Sequence, residues 1–236
     1  MLEDQELKAW DLSSRSRLNG RALARFSTDS LFDRVARVVC ESDCLPRKEL
    51  YESWEVARRV RRRFRGGRVV DLAGGHGLLA ILCLVLDDTS PSALVVDRRL
   101  PPSAAKLLTA FTFAWPRIAT RVVFHESELD QTALHPTDLV VSVHACGLLT
   151  DTVLDLSVAA RSRVAVMPCC HDARRNDQGG LGGWMDADLA IDATRVAKLC
   201  AAGYRVVTQT IAGGITAKAR LLMAEPMSAK PDSGDA

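Results

Sequence analysis

Seven short runs rich in branched apolar residues follow one another after residue 68, and they limit the chain to few folds. The first five, RVVDLA, SALVVD, TRVVFHE, TDLVVSVH and RVAVMP, are nearly continuously apolar, which is typical of strands buried on both faces by helices. Helical patterns separate these runs, so we predict parallel strands joined by helical crossovers. Only AGGITAK separates the last two, YRVVTQTI and ARLLMAEP, which predicts an antiparallel hairpin. The sequence therefore predicts an α/β, doubly wound sheet of seven strands with a terminal antiparallel hairpin.

The residues before the first run have a helical pattern. SLFDRVARVVCESD places four apolar residues on one face behind Ser30, a residue type that caps helix N-termini, and LPRKELYESWEVARRVRRRF predicts a second helix. The last nine residues, SAKPDSGDA, are typical of a disordered tail. We thus predict three parts: an N-terminal helical extension (1–65), the sheet domain (66–227) and the tail (228–236).

The formal net charge of +2 is unevenly distributed, because residues 1–68 contain 16 Lys and Arg but 11 Asp and Glu. The excess centres on RRVRRRFR, a run that can attract phosphate. A simpler interpretation is the solvated face of a helix that buries Val60 and Phe64. On that interpretation Arg61, Arg62 and Arg65 should contribute little to stability.

Composition favours a soluble, cytoplasmic protein. The longest apolar stretch, LLAILCLVL, is too short to cross a bilayer, and the first ten residues lack the layout of a signal peptide. The seven cysteines are an odd number and several lie in strand-like runs, which indicates reduced thiols rather than disulfides. We expect no membrane partner, and the sequence gives no oligomeric state.

The turn after the first strand reads DLAGGHG, an unusual place for both an acid and three glycines. Glycines let a ligand lie against the backbone, while an acid would repel the pyrophosphate of a dinucleotide. An acid favours a cationic, amino-acid-like ligand such as S-adenosylmethionine (SAM). A second acid, Asp97, ends the second strand, where a carboxylate can accept hydrogen bonds from ribose hydroxyls. The candidate cofactor residues of these two strand ends are Asp71, Ala73, Gly74, Gly75, Gly77, Asp97 and Arg98.

Three other positions complete the candidate cofactor set. The third strand ends in FHESEL, at a corner where Glu126 or Ser127 would meet the adenine of SAM, and His144 follows the fourth strand. These assignments come from position in the fold.

Cysteine and histidine gather after the fourth and fifth strands, in VHACG and PCCHD. Ligands of open α/β sheets bind beyond the carboxyl ends of the strands, near the switch point. Three interpretations stay open for this corner: structural packing, a metal site, or a catalytic thiolate or histidine base. Neither turn has the spacing of a zinc knuckle, so we predict no metal. The candidate catalytic residues are His144, His171, Cys146, Cys169 and Cys170.

Several motifs together resemble one group of class I SAM-dependent methyltransferases. They are the glycine turn, HACGLLTD, PCCHD and the closing GYRVVTQTIAGGITAKARLL, and the similarity extends from Pro46 to Pro226. The group includes acceptor-stem tRNA ribose 2′-O-methyltransferases and methyltransferase-domain proteins without a known substrate. The resemblance implies a Rossmann-like fold, SAM as cofactor and RNA as one class of acceptor. The tRNA enzymes carry N-terminal cysteine-rich zinc modules, whereas this chain has only Cys40 and Cys44 there.

We therefore expect a SAM-dependent methyltransferase that acts on RNA, at a ribose hydroxyl, or on a small molecule. One alternative is pyrimidine C5 methylation, in which a cysteine adds to the ring, although VHA replaces the Asp and Pro expected before the first cysteine. Another alternative is a non-catalytic module of the same fold that binds RNA or supports assembly. The segment from Arg174 to Trp184, with four glycines, is a candidate lid.

Overall fold

The computed structural model describes residues 10–217 and 219–227. The predicted tail lies outside these residues, as do the first nine positions. Six α-helices and seven strands occur in the described part. The helices are α1 (Leu31–Ser42), α2 (Arg47–Arg63), α3 (Leu78–Leu86), α4 (Pro102–Ala114), α5 (Leu148–Ala159) and α6 (Ala187–Ala201). The strands are β1 (Val69–Leu72), β2 (Ala93–Asp97), β3 (Val122–Glu126), β4 (Leu139–Ser142), β5 (Arg163–Val166), β6 (Tyr204–Thr210) and β7 (Arg220–Pro226).

The strands form one sheet in the order β3-β2-β1-β4-β5-β7-β6. The first five strands are parallel, and β7 pairs antiparallel with both β5 and β6. The predicted doubly wound sheet and its terminal hairpin are thus confirmed. The strand order reverses between β1 and β4, so the turns that follow these two strands flank the switch point.

Alternate residues of each strand enter different cores, as a period of two requires. Val69 and Val141 pack with helices α1 to α4, whereas Val70 and Val140 pack with α5 and α6. The N-terminal helices share the first core with the sheet, and α2 lies against α3 while α1 lies against α4. Residues on both sides of the domain boundary predicted between positions 65 and 66 therefore belong to one hydrophobic core. The division into an extension and a sheet domain stays a prediction.

Helix α1 begins as predicted, with the Ser30 side chain accepting a hydrogen bond from the backbone N–H of Asp33. Val60 of α2 and Phe64, the residue that follows the helix, are both buried, also as predicted. Among the described residues, no helix combines the length and apolarity that a membrane crossing requires.

The expectation for the basic run was wrong at Arg61. Its side chain is buried, with Nη1 3.2 Å from Oδ2 of Asp87, Nη2 2.6 Å from the Ser90 hydroxyl and Nε 3.1 Å from the Cys83 carbonyl. A long arginine on the edge of the apolar stripe can reach buried acceptors in a neighbouring helix and loop, which helix periodicity alone does not reveal. Arg61 therefore fixes α2 against α3.

Candidate functional site

The turn between β1 and α3 is a tight backbone cradle. Ala73, Gly75 and Gly77 have positive φ angles of 57°, 52° and 74°. A side chain at Gly74 would place its Cβ 2.7 Å from Cγ of Asp71 and 2.8 Å from a methyl carbon of Val95. Glycine is thus required at position 74 by close packing and at position 77 by both backbone conformation and contact with a neighbouring ring.

Asp71 lies beneath this turn. Its carboxylate is buried, and Oδ2 accepts a hydrogen bond of 3.3 Å from the backbone N–H of Ala80 in the first turn of α3. Burial raises the pKa of Asp71 to about 7, and the nearby charge of Asp97 also raises it. Asp71 therefore stabilises the N-terminus of α3. It would affect a ligand indirectly, by fixing the conformation of the glycine turn.

Asp97 lies at the open side of the turn. Its Oδ2 accepts a hydrogen bond of 2.9 Å from the backbone N–H of Gly75, and its Oδ1 accepts one of 3.3 Å from that of Arg99. The residue borders a cavity of about 360 Å³ at the carboxyl ends of β1 and β2. The lining residues are Ala73, Asp97, Arg98, Arg99, Ser127, Glu128, Leu129 and Leu149. A carboxylate at this strand end, beside a backbone cradle, fits the ribose of the expected cofactor.

The corner after β3 separates the two adenine candidates. Ser127 lines the cavity, whereas the Glu126 carboxylate accepts a hydrogen bond of 3.0 Å from the backbone N–H of Leu100. The Arg98 guanidinium forms an exposed ion pair with Glu128, 2.9 Å between Nε and Oε1. Of the two adenine candidates, Ser127 is therefore better placed than Glu126 to contact a ligand in the cavity. Arg98 lies at the rim of that cavity.

Helix α2 contributes a contact that the sequence analysis missed. Nε2 of His76, in the glycine turn, lies 2.6 Å from Oε2 of Glu49, and Nδ1 accepts a hydrogen bond of 3.2 Å from the backbone N–H of Leu78. The N–H of the neutral ring is thus at Nε2, where it donates to Glu49. Burial opposes ionisation of Glu49, but the hydrogen bond from His76 outweighs it, and the pKa of Glu49 is lowered.

His144, directly after β4, lies in the same neighbourhood. Its imidazole is solvent accessible yet surrounded by enough protein that desolvation lowers its pKa, while the charges of Glu52 and Glu49 act in the opposite direction. Glu52 is buried, and its Oε2 has no hydrogen-bond partner. The sequence could have indicated that Glu52 is buried, since it lies four positions before Val56 and therefore on the apolar face of α2.

The three candidate cysteines converge from two loops. Sγ of Cys146 lies 3.2 Å from Sγ of Cys169 and 3.3 Å from Sγ of Cys170, and the last two are 3.7 Å apart. Cys146 and Cys170 are exposed and Cys169 is half-buried. Desolvation raises the pKa of Cys146 and of Cys169, so in the absence of a cation these two thiols are protonated at neutral pH.

The side chain of His171 is buried and faces two carboxylates of α6. Its side chain is 1% exposed, Nε2 lies 2.8 Å from Oδ1 of Asp192, and Nδ1 faces Asp188 at 3.6 Å, longer than a hydrogen bond. Asp192 also bonds Arg195 and Arg220. This burial suits a residue that fixes the loop after β5, whereas a general base needs access to its substrate.

The candidate lid begins in an ordered turn. Asn176 is buried and donates a hydrogen bond of 2.6 Å to Oδ2 of Asp151 in α5. Trp184, at the far end, is 85% exposed. The indole ring of Trp184 is thus accessible for stacking on a planar group of a ligand.

Part of the positive charge of the basic run at the end of α2 is paired with neighbouring acids. Arg58 and Arg59 pair with Glu55 at 2.7 Å and 3.1 Å, and Arg63 pairs with Glu225. Together with the Arg61 pair, these contacts leave less free positive charge than the sequence indicates. The structure therefore favours a surface helix over a phosphate-binding stripe.

Comparison with known proteins gives the family. The sequence-family model described as a methyltransferase domain matches residues 48–176, which are more than half of the 236 residues. A curated relative, the glutathione S-transferase C-terminal domain-containing protein homolog of Drosophila melanogaster, is 32% identical over 106 residues, which are 45% of this chain and 17% of that protein. The chain thus spans about a sixth of the length of that relative.

Two solved structures have a similar fold. An O-methyltransferase family protein from Burkholderia thailandensis has a TM-score of 0.52 and 19% identity, over 93% of this chain and 67% of that one. Mitomycin 7-O-methyltransferase has a TM-score of 0.50 and 18% identity, over 87% and 60%. At these identities the similarity concerns the fold alone. The glycine turn, the strand order and the match over residues 48–176 together place this chain in the methyltransferase-domain family.

Proposed function

We propose that the protein is a SAM-dependent methyltransferase whose cofactor lies in the cavity between the glycine turn and the ends of β2 and β3. The observation that carries the proposal is the hydrogen bond from Gly75 N–H to Asp97, at the edge of that cavity. Asp97 would accept hydrogen bonds from the ribose, Ser127 would meet the adenine, and the backbone from Ala73 to Gly77 would hold the methionine part. When bound, SAM supplies an electrophilic methyl group.

Calorimetric titration tests the cofactor. We expect a micromolar dissociation constant for SAM or its demethylated product, about −8 kcal/mol. Asp97→Asn should weaken binding about tenfold or more, since a charged acceptor is lost, whereas Asp29→Asn, on an exposed residue outside the cavity, should bind as the wild type does. Tight binding of NAD without binding of SAM would reject the proposal.

For the acceptor we propose a hydroxyl group, in an RNA ribose or a small molecule, with His144 as the base. His144 is accessible, follows β4 at the switch point, and lies among Glu49, Glu52 and His76. A positioned histidine typically contributes 10²–10⁴-fold to proton transfer. His144→Ala should therefore lower kcat roughly a hundredfold with SAM affinity nearly unchanged. His125→Ala, on an exposed histidine of β3, is the matched control.

The cysteine-dependent pyrimidine scheme has less support. A nucleophilic cysteine must be a thiolate, and desolvation raises the pKa of Cys146 and Cys169. We expect no covalent adduct with RNA that contains 5-fluoropyrimidines, and a trapped adduct on Cys146, Cys169 or Cys170 would reverse this conclusion. Transfer of label from SAM to any acceptor would reject the non-catalytic alternative.

A further inference from the structure

The three sulfur atoms of Cys146, Cys169 and Cys170 form a nearly equilateral triangle with sides of 3.2, 3.3 and 3.7 Å. Thiolates that hold a tetrahedral zinc ion at about 2.3 Å lie about 3.8 Å from one another. The sulfurs thus need to separate by only a few tenths of an ångström to reach that geometry. The spacing within each turn predicts no metal, but the cluster joins ligands from both turns. Against that expectation, we propose that these three cysteines bind a thiophilic divalent ion, Zn²⁺, with a fourth position open to an external ligand.

The backbone holds the two loops together without help from the thiols. Gly147 N–H donates a hydrogen bond of 3.0 Å to the carbonyl of Cys170, and Met167 N–H donates one of 3.0 Å to the carbonyl of Ser142. Arg195 reaches across from α6 and donates a hydrogen bond of 3.1 Å to the carbonyl of Gly147. Because these contacts fix both loops, the ligand positions exist before an ion arrives, and little conformational entropy is lost on binding.

The local charges suit such a site. Three thiolates and one divalent ion have a net charge of −1, and α5 begins at Leu148, two residues after Cys146. The partial positive charge of a helix N-terminus stabilises an adjacent anionic group. The guanidinium of Arg195, near the same turn, is already paired with Asp151 and Asp192. The N-terminus of α5 would therefore offset part of the remaining charge.

The described residues supply no fourth ligand to this cluster. Within residues 10–217 and 219–227, no further Cys, His, Asp or Glu ligand atom lies within 4.8 Å of all three sulfurs. Three protein ligands with an open position are typical of reactive rather than purely structural zinc sites. Leu149, three residues after Cys146, lines the cavity that Asp97 also lines, so the segment that carries Cys146 continues to the candidate cofactor site.

Elemental analysis tests the proposal. Protein purified with a non-thiol reductant, without chelator, and dialysed against zinc should retain about one zinc per chain. Cys146→Ser and Cys169→Ser should each lower retention at least tenfold, while Cys200→Ser, an exposed cysteine outside the cluster, should retain zinc fully. Cobalt loading should give thiolate-to-metal absorption in the wild type and in Cys200→Ser, and not in the two cluster variants.

Circular dichroism and SAM titration of each variant keep the test independent of folding and of the proposed function. Folded cluster variants that bind SAM but lose zinc support the site. Retention of zinc by both cluster variants would overturn it. A wild type with neither zinc nor cobalt absorption, or with copper alone, would also overturn it. So would a disulfide within the cluster that persists in reductant.

Discussion

Nε2 of His76 lies 2.6 Å from Oε2 of Glu49, which bonds the glycine turn of the sheet domain to a helix of the N-terminal extension. The turn and the helix are adjacent because α2 packs against α3, the helix that the turn introduces. The extension therefore shapes the candidate site as well as the hydrophobic core.

Glu49→Gln should lower the free energy of unfolding by about 1 kcal/mol at pH 7, because a charge-assisted hydrogen bond becomes a neutral one. The folded state lowers the pKa of Glu49 below its unfolded value of about 4.3. Its contribution is therefore present above that pH and is lost as the pH falls through the folded pKa. Urea denaturation at pH 7 and at pH 3 measures the difference. Glu41→Gln, on an exposed residue of α1, is the control, and an equal loss from Glu49→Gln at both pH values would contradict the role of its charge.

Arg61→Gln should destabilise the protein by about 3–5 kcal/mol, because it leaves the buried carboxylate of Asp87 with only the exposed Arg65 at 3.6 Å as a cation. Arg62→Gln, on the exposed neighbouring position, should change stability by less than about 0.5 kcal/mol. Denaturant midpoints of the two variants, measured side by side, give the comparison. Similar small effects from both would show that water replaces the Arg61 contacts.

Asp71→Asn should reduce the loss of stability as the pH rises. Burial raises the pKa of Asp71 to about 7, whereas the unfolded carboxyl titrates near 3.9. Folding therefore keeps a proton that the unfolded chain releases, and stability falls between about pH 4 and pH 7. We expect the wild type to lose on the order of 1–3 kcal/mol more than the variant between pH 5 and pH 8, by denaturation at both values. The same pH slope in both proteins would exclude a raised pKa.

Two substitutions in the glycine turn should have different effects. Gly74→Ala places Cβ 2.7 Å from the Asp71 side chain, so we expect a loss of stability of about 1–3 kcal/mol. At Gly75 the nearest atom to such a Cβ is Oδ2 of Asp97 at 4.0 Å. Gly75→Val should therefore fill the cofactor cradle and abolish SAM binding, with a backbone strain of about 1–3 kcal/mol. Thermal unfolding of both variants measures the loss of stability from a side chain that clashes within the fold. Calorimetric titration with SAM measures the loss of binding from a side chain that occupies the cofactor cradle.

Trp184→Ala should change stability by less than about 0.5 kcal/mol, because the side chain is 85% exposed. If the indole stacks on the acceptor, the same change should raise KM for the acceptor about tenfold with kcat largely retained. Steady-state kinetics, followed by the amount of methylated product, give KM and kcat for both proteins. An unchanged KM would assign the indole no part in acceptor binding.

The sequence by itself determined the sheet and its turns. Continuous apolar runs specify strands buried on both faces, a seven-residue connection specifies the terminal hairpin, and three glycines after an acid specify the turn at β1. These features are local, because each depends on residues close together in the chain.

Tertiary structure alone decided which distant side chains meet. Glu49 reaches His76 from another helix, and Arg61 reaches Asp87 beneath the surface. No spacing in the sequence encodes these pairs, because each depends on the packing angle between elements and on the depth of the side chains. His171 shows the converse, since its place beside the reactive corner was predictable from the strand order, whereas its burial against Asp192 depended on how α6 covers the loop.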